Sequence, residues 1–302
     1  ATTVYSQAIN AAKNTRTLPQ KRRSYALAAQ AAQRSEHSIN RILALEAGLA
    51  LARTPRQNET SQAEELLPLS TDQLWQAYQS FGVARASQLR ADLPPDATAD
   101  NLTAQIQQEI TQLMALAART PETRTKTLAE AQALLWVLGY TQVKQQGQNW
   151  QLTLLQGQDL HHAQLTPLQH KAQLQFLSLL RDRHSENSLV LSLMLDTTRW
   201  KMADIAPALR GSLIEHALTL SDAVTAGQLM ASLPADTTPS TQASTAASDD
   251  TEARLWRMRR ARVLIAGGQL EAATKAINAL TVEAKTFNSQ ELDALVQVLF
   301  DL

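Results

Sequence analysis

Residues 253–280 read ARLWRMRRARVLIAGGQLEAATKAINAL. Apolar residues recur at three- and four-residue spacing on both sides of a glycine pair, which is typical of two amphipathic helices. Gly267 and Gly268 favour a turn between them, because glycine ends helices and adopts backbone conformations that other residues resist. The stretch therefore predicts two antiparallel helices joined as a helical hairpin.

Small residues inside this hairpin match a known repeat. Ala261 lies where the tetratricopeptide motif needs a small residue, Gly268 where it turns, and Ala273 where the second helix crosses the first closely. The hairpin resembles one tetratricopeptide repeat, and only this stretch of the chain carries the resemblance. It implies an all-α fold, an antiparallel helix-pair solenoid whose surface binds proteins and which has no catalytic centre of its own.

The composition also favours helices. Ala, Leu and Gln dominate the 302 residues, with 9 Gly, 10 Pro and 4% aromatic residues. Lys and Arg total 28 and so do Asp and Glu, so the chain lacks the net positive charge expected of a nucleic-acid binder. The absence of cysteine excludes disulfides, thiolate metal sites and a cysteine nucleophile. No apolar run approaches the ~18 residues that would span a bilayer.

Sequence breaks predict four parts along the chain. A double proline, Pro94-Pro95, interrupts the helical pattern, and a Ser-, Thr- and Pro-rich stretch after Leu233 has too few apolar residues to form a core. The predicted parts are an N-terminal helical module at 1–92, a helical module with a β-hairpin at 97–234, a linker or loop at 235–252, and tetratricopeptide-like helices at 253–302.

The last helix is predicted to have an open apolar side. Leu292, Leu295, Val296, Leu299 and Phe300 recur at helical spacing, and no later helix in the sequence covers them all. We therefore expect Leu299 and Phe300 to be partly exposed. We also expect the helical array to continue in the parent protein, because terminal repeats normally carry a polar outer face.

One stretch departs from the helical pattern. Val143, Trp150, Leu152 and Leu154 alternate with polar residues around a Gly147-Gln148-Asn149 turn. This pattern predicts a small β-hairpin near 141–155. A helix followed by a hairpin is also the outline of a winged helix, but Lys144 is the single basic residue of the stretch, whereas phosphate binding needs a cluster.

Four residues are candidates for binding. Trp75 and Tyr78 are three residues apart on a predicted helix, where they could line a peptide-binding groove, although aromatic residues at helical spacing are more often core. Arg257 and Arg260 belong to a run of five arginines that could contact phosphates or acidic peptides. The alternative is a solvated helix face, which the neutral balance of the chain favours.

No catalytic motif is present. The chain lacks GxSxG, GxxxxGK[ST], GxGxxG and HExxH patterns. His161, His162 and His170 could converge on a cation, but adjacent residues point to different faces of a helix, so we predict no metal site and no cofactor. Catalytic residues scattered along a sequence leave no motif, so an enzyme stays an open alternative.

These observations predict a non-catalytic scaffold or assembly factor that presents a helical-repeat surface. Its expected partners are other proteins or further helical domains of the same parent chain, with no membrane span. The alternatives are a helical accessory domain of a larger enzyme, such as one that acts on the cell wall, and a nucleic-acid-binding helical module. A composition rich in Gln and poor in Lys and Cys favours the periplasm or cell envelope of bacteria over the cytoplasm.

Overall fold

The structure is a computed structural model that describes residues 2–34, 38–51, 69–146, 149–155, 157–160, 164–185, 187–196, 201–231 and 246–302. The described part is mostly helical with one antiparallel two-stranded sheet, as the sequence predicts. The helices are α1 (Thr2–Asn14), α2 (Leu18–Arg34), α3 (Ser38–Ala50), α4 (Thr71–Ala91), α5 (Ala99–Arg119), α6 (Arg124–Tyr140), α7 (Pro167–Arg183), α8 (Leu189–Met194), α9 (Pro207–Thr219), α10 (Ala223–Ala231), α11 (Ala246–Ala266), α12 (Leu270–Glu283) and α13 (Ser289–Asp301). None of these helices combines the length and apolar character needed to cross a membrane.

The chain divides into two compact units, residues 1–200 and 201–302. The predicted break at Pro94-Pro95 lies inside the first unit, between α4 and α5, and α4 packs on α6 beyond it. The predicted linker at 235–252 lies partly outside the described residues. Its last part, from Ala246, is instead the beginning of α11, which agrees with the high helix propensity of alanine.

Helix α6 forms the centre of the first unit. It packs against α3, α4, α5 and α7, and every residue from Ala131 to Val137 is buried. A helix that is buried around its circumference must be apolar on all sides, which explains the run ALLWV at 133–137. Capping boxes fix the beginnings of the neighbouring helices α4, α5 and α7, with Ser70, Thr98 and Thr166 as the N-caps.

The predicted β-hairpin follows α6 directly. Strands β1 (Thr141–Gln146) and β2 (Asn149–Leu154) pair antiparallel, with Thr141 opposite Leu154 and Val143 opposite Leu152. The hairpin is joined to the helix end, because the Leu155 amide donates to the Tyr140 carbonyl at 2.9 Å.

The second unit consists of two helical hairpins and a final helix. Helices α9 and α10 pair, α11 and α12 pair, and α11 also packs on α9, α10 and α13. Ala261 and Ala273, the small residues predicted at the helix crossing, are both fully buried. The core between α11, α12 and α13 consists of Met258, Ala261, Ile277, Leu280, Phe287, Leu295 and Val298.

The two hairpins of the second unit turn in the same way. Gly268 has φ 72°, and the amides of Gly268 and Gln269 donate to the carbonyls of Ile265 and Leu264. Ser221 has φ 57°, and the amides of Ser221 and Asp222 donate to the carbonyls of Leu218 and Ala217 in the equivalent pattern. Both are Schellman motifs, in which a left-handed residue ends a helix and satisfies its last carbonyls.

Candidate functional site

The aromatic candidates lie in the core of the first unit. Trp75 and Tyr78 are buried on α4 and pack around Phe176, with ring centroids 5.9 and 5.4 Å from its ring. The Trp75 indole nitrogen also donates to the Leu193 carbonyl at 3.2 Å. Neither side chain lines a surface groove, so their positions agree with the core alternative.

Tyr78 leads to a buried polar cluster that joins four helices. Its hydroxyl donates to Glu46 on α3, and the same carboxylate accepts hydrogen bonds from both terminal nitrogens of Arg183 at the end of α7. The Nη1 atom of Arg183 also contacts the side-chain oxygen of Gln132 on α6. His184 completes the cluster, with Nε2 at 3.3 Å from Glu46 Oε2.

The surroundings keep the Glu46 carboxylate ionised. Burial alone would raise its pKa, but the charge of Arg183 and the hydrogen bonds from His184 and Tyr78 outweigh burial and lower the pKa to about 2. The pKa of Tyr78 rises well above its ordinary value, first through burial and then through the negative charge of Glu46. The cluster therefore contains a paired carboxylate and a neutral phenol at any physiological pH.

This arrangement suits structure better than catalysis. Both oxygens of Glu46 are occupied, and the Glu46 and Arg183 side chains are 2% and 6% exposed. A general base needs a free lone pair within reach of a substrate, which this carboxylate does not offer. We call Glu46, Tyr78, Gln132, Arg183 and His184 the buried clasp.

The sequence carries a faint signal for the buried clasp. Glu46 is the single charged residue in the apolar run ILALEAGLA at 42–50. A lone charge in such a run indicates a buried partner elsewhere. The partner could not be identified, because 137 positions separate Glu46 and Arg183.

The arginines of α11 are held by carboxylates of the second unit. The pairs are Arg254 with Glu291, Arg257 with Glu283, Arg259 and Arg262 with Glu215, and Arg262 with Asp301. The best-formed pair is Arg257 with Glu283, which is bidentate with two distances of 2.8 Å. The arginine run therefore forms an ion-pair network between helices.

The ion-pair network includes one of the two arginine candidates. Arg257 and Arg260 are both exposed, but the Arg257 guanidinium is already occupied by Glu283. Arg260 forms no ion pair with any described residue. A single exposed guanidinium does not make the cluster of basic residues that phosphate recognition requires.

The outer side of α13 is exposed and apolar. Leu292, Val296, Leu299 and Phe300 have exposed fractions of 42, 49, 47 and 82%. Leu295, which the spacing predicted on the open side, is instead buried, and it packs with Val298 into the core of the second unit. The exposure predicted for Leu299 and Phe300 is thus present, and the four exposed residues form what we call the α13 stripe.

The histidine candidates form no metal site in the described part of the chain. His161 and His162 lie outside the described residues, while His170 lies in the first turns of α7 and is half-buried. Among the residues that the structure describes, no group of three or more His, Cys, Asp or Glu side chains is placed to hold a metal ion.

The α13 stripe is thus a row of exposed apolar residues at the surface. The buried clasp lies in the core, and the arginine network joins neighbouring helices. Comparison with protein-family models, with curated proteins and with solved structures found nothing that matches this chain.

Proposed function

We propose that this chain is a non-catalytic, protein-binding helical module, a scaffold or assembly factor that docks a protein partner on the α13 stripe. The observation that carries the proposal is the exposure of four apolar side chains along one side of a single helix. Isolated exposed apolar residues are ordinary, but a contiguous row at helical spacing is typical of an interaction surface.

The second unit supports a tetratricopeptide-like arrangement of helix pairs. Counting from the left-handed residues Ser221 and Gly268, the fifth following residue is a fully buried alanine in both hairpins, Ala226 and Ala273. Equal turns and equal crossing residues are what a repeated unit would have. In proteins built from such units, stacked helices supply binding surfaces.

The rival functions receive less support from the described residues. Nucleic-acid binding needs free basic side chains, and carboxylates hold four of the five arginines of α11. Catalysis needs an accessible reactive group, and the most strongly perturbed carboxylate, Glu46, is buried and saturated with hydrogen bonds.

The proposal is tested by capture of partners with the full chain and two variants. The first variant, Leu299→Glu with Phe300→Gln, removes the apolar character of the α13 stripe. The second, Met114→Gln with Leu116→Glu, changes two exposed apolar residues of α5 and serves as the matched control. Each protein carries a photo-crosslinker on the α13 stripe at position 296, and crosslinked proteins are identified by mass spectrometry.

We expect wild type and the α5 control to crosslink the same protein, and the α13 variant to lose it. The purified partner should then bind wild type at least tenfold more tightly than the α13 variant. If all three chains capture the same proteins equally well, the α13 stripe is not a docking surface and the proposed function fails.

A further inference from the structure

We propose that the occupant of the α13 stripe is an amphipathic helix of a partner protein, with basic residues at the edge of its apolar face. This inference rests on the proposed function and adds the chemistry of the partner. It follows from the shape of the stripe, its charge and its area.

The shape of the α13 stripe fits another helix. At about 100° per residue, Leu292, Val296 and Leu299 lie within about 60° of one another around α13, and Phe300 extends the row on one edge. Residues spaced by three and four along a helix form a ridge, and such ridges pack into the grooves of a second helix. An extended peptide would instead need a row of free backbone groups, which a helix side does not offer.

The charge of α13 selects a basic partner. The helix carries Glu291, Asp293 and Asp301 and has no Lys or Arg. Arg254 and Arg262 neutralise Glu291 and Asp301, but Asp293 is exposed and forms no ion pair with a described residue. Asp293 precedes Phe300 by two helical turns and lies on the same edge, so a Lys or Arg of the partner would meet it there.

The same charge argues against a second copy of this chain as the occupant. An interface between two copies of α13 would contain two uncompensated Asp293 carboxylates and no basic residue of either helix. A large side chain buries about 150–250 Å², so the exposed fractions of the α13 stripe amount to on the order of 400 Å². A stable dimer buries about 800 Å² per partner, roughly twice that area.

A membrane surface is also disfavoured. Amphipathic helices that lie on anionic membranes carry Lys and Arg on the polar face, and each contributes about 1 kcal/mol of attraction. Helix α13 has carboxylates in these places and would be repelled. A partner helix with basic edges is the occupant that satisfies both the apolar and the charged residues.

The test is a selection from a displayed library of helical peptides of about 20 residues. All members share a fixed Leu stripe, and the positions at its edges vary among Lys, Glu and Ser. The library is selected on the full chain and counter-selected on the Leu299→Glu, Phe300→Gln variant. A second library has a central proline, which breaks the helix without removing the apolar residues.

We expect selected members to carry Lys at the edge positions several times more often than Glu. The Lys preference should disappear on Asp293→Asn and persist on Asp159→Asn, a matched neutralisation of an exposed aspartate in the first unit. The proline library should yield no binders. Enrichment of Glu or Ser, an unchanged preference on Asp293→Asn, or equal success of the proline library overturns the inference.

Two further measurements test a membrane surface and a second copy of this chain as occupants of the α13 stripe. Flotation with phosphatidylcholine and phosphatidylserine vesicles should leave wild type unbound, and sedimentation should show no dimer that the α13 variant loses. Binding to the vesicles, or a dimer that the α13 variant loses, overturns the inference of a basic partner helix. The capture experiment separates the two proposals, because a captured α13-dependent protein with no basic helix keeps the docking function and removes only the partner chemistry.

Discussion

Ser221 and Gly268 occupy the same position in two successive helical hairpins, and both have a left-handed backbone with φ 57° and 72°. The hydrogen bonds around them are equivalent, so the two turns differ mainly in the side chain that adopts this conformation. Glycine does so without strain, whereas a residue with a β-carbon pays roughly 1 kcal/mol or more. The first hairpin therefore contains strain that the second lacks.

Ser221→Gly should raise the free energy of unfolding by up to about 1 kcal/mol, because it removes the unfavourable contact of the β-carbon in the left-handed region. Gly268→Ala should lower it by a similar amount, since no atom lies within 4 Å of the added β-carbon and backbone strain is the main cost. Urea unfolding followed by circular dichroism measures both. A Ser221→Gly protein that is less stable than wild type would contradict the assigned turn.

Gly82→Ala should lower the free energy of unfolding by about 1–3 kcal/mol. A β-carbon at position 82 would come within 2.6 Å of the Ala133 carbonyl oxygen, so α4 and α6 could not keep their close packing. Gly227→Ala on α10 is the matched control, because nothing lies within 4 Å of its added β-carbon. The control should be neutral or more stable by up to about 1 kcal/mol. Equal effects of the two changes would disprove the close approach.

The stability difference between wild type and Glu46→Gln should depend on pH. The pKa of Glu46 is about 2 in the folded protein and lies near 4.5 when the group is free in water. Stabilisation by the ionised carboxylate is thus complete above about pH 4.5 and is lost as the pH falls toward 2. The difference should be on the order of 3 kcal/mol at neutral pH and close to zero at pH 2.

Urea unfolding at a series of pH values measures this difference. Glu271→Gln, which changes an exposed carboxylate of α12, serves as the control and should have little effect on stability. A Glu46→Gln difference that stays constant between pH 7 and pH 2 would show that the carboxylate is not held ionised by Arg183.

Ala273→Trp should lower the free energy of unfolding by about 1–3 kcal/mol, because Ala273 is fully buried on α12 and a larger side chain would overpack its surroundings. Ala272→Trp places the same side chain on the neighbouring exposed position and should change stability little. Thermal unfolding of the two variants is a matched comparison. If Ala273→Trp unfolds at the same temperature as wild type, the proposal that this hairpin is tetratricopeptide-like is wrong.

The sequence predicted features whose cause is local. The glycine pair at 267–268 and the alternation at 141–154 act over neighbouring residues, and the structure has both the helical turn and the β-hairpin. The left-handed turn at Ser221 was not predictable, because serine carries no preference for that conformation.

Contacts between distant residues could not be predicted from the sequence. Nothing in a single chain indicates which arginine pairs with Glu46, or which carboxylates hold the arginines of α11. The open apolar side of α13 could be predicted, because the spacing of apolar residues within this one helix is enough to locate it. The net charge of α13 in the structure could not be predicted in this way, because Arg254 and Arg262 of α11 neutralise two of its three acidic residues.

The separation of Glu46 and Arg183 along the chain predicts when the buried clasp forms during folding. Glu46 and Arg183 are 137 positions apart, whereas the pairs α1–α2 and α2–α3 join helices that are adjacent in the chain. Contacts between neighbours close short loops and form fast, while a distant pair must wait for the intervening chain to become compact. During synthesis, Glu46 leaves the ribosome long before Arg183, so its carboxylate stays hydrated until α7 docks. We therefore expect the buried clasp to form late in folding, after α7 has packed on the rest of the first unit.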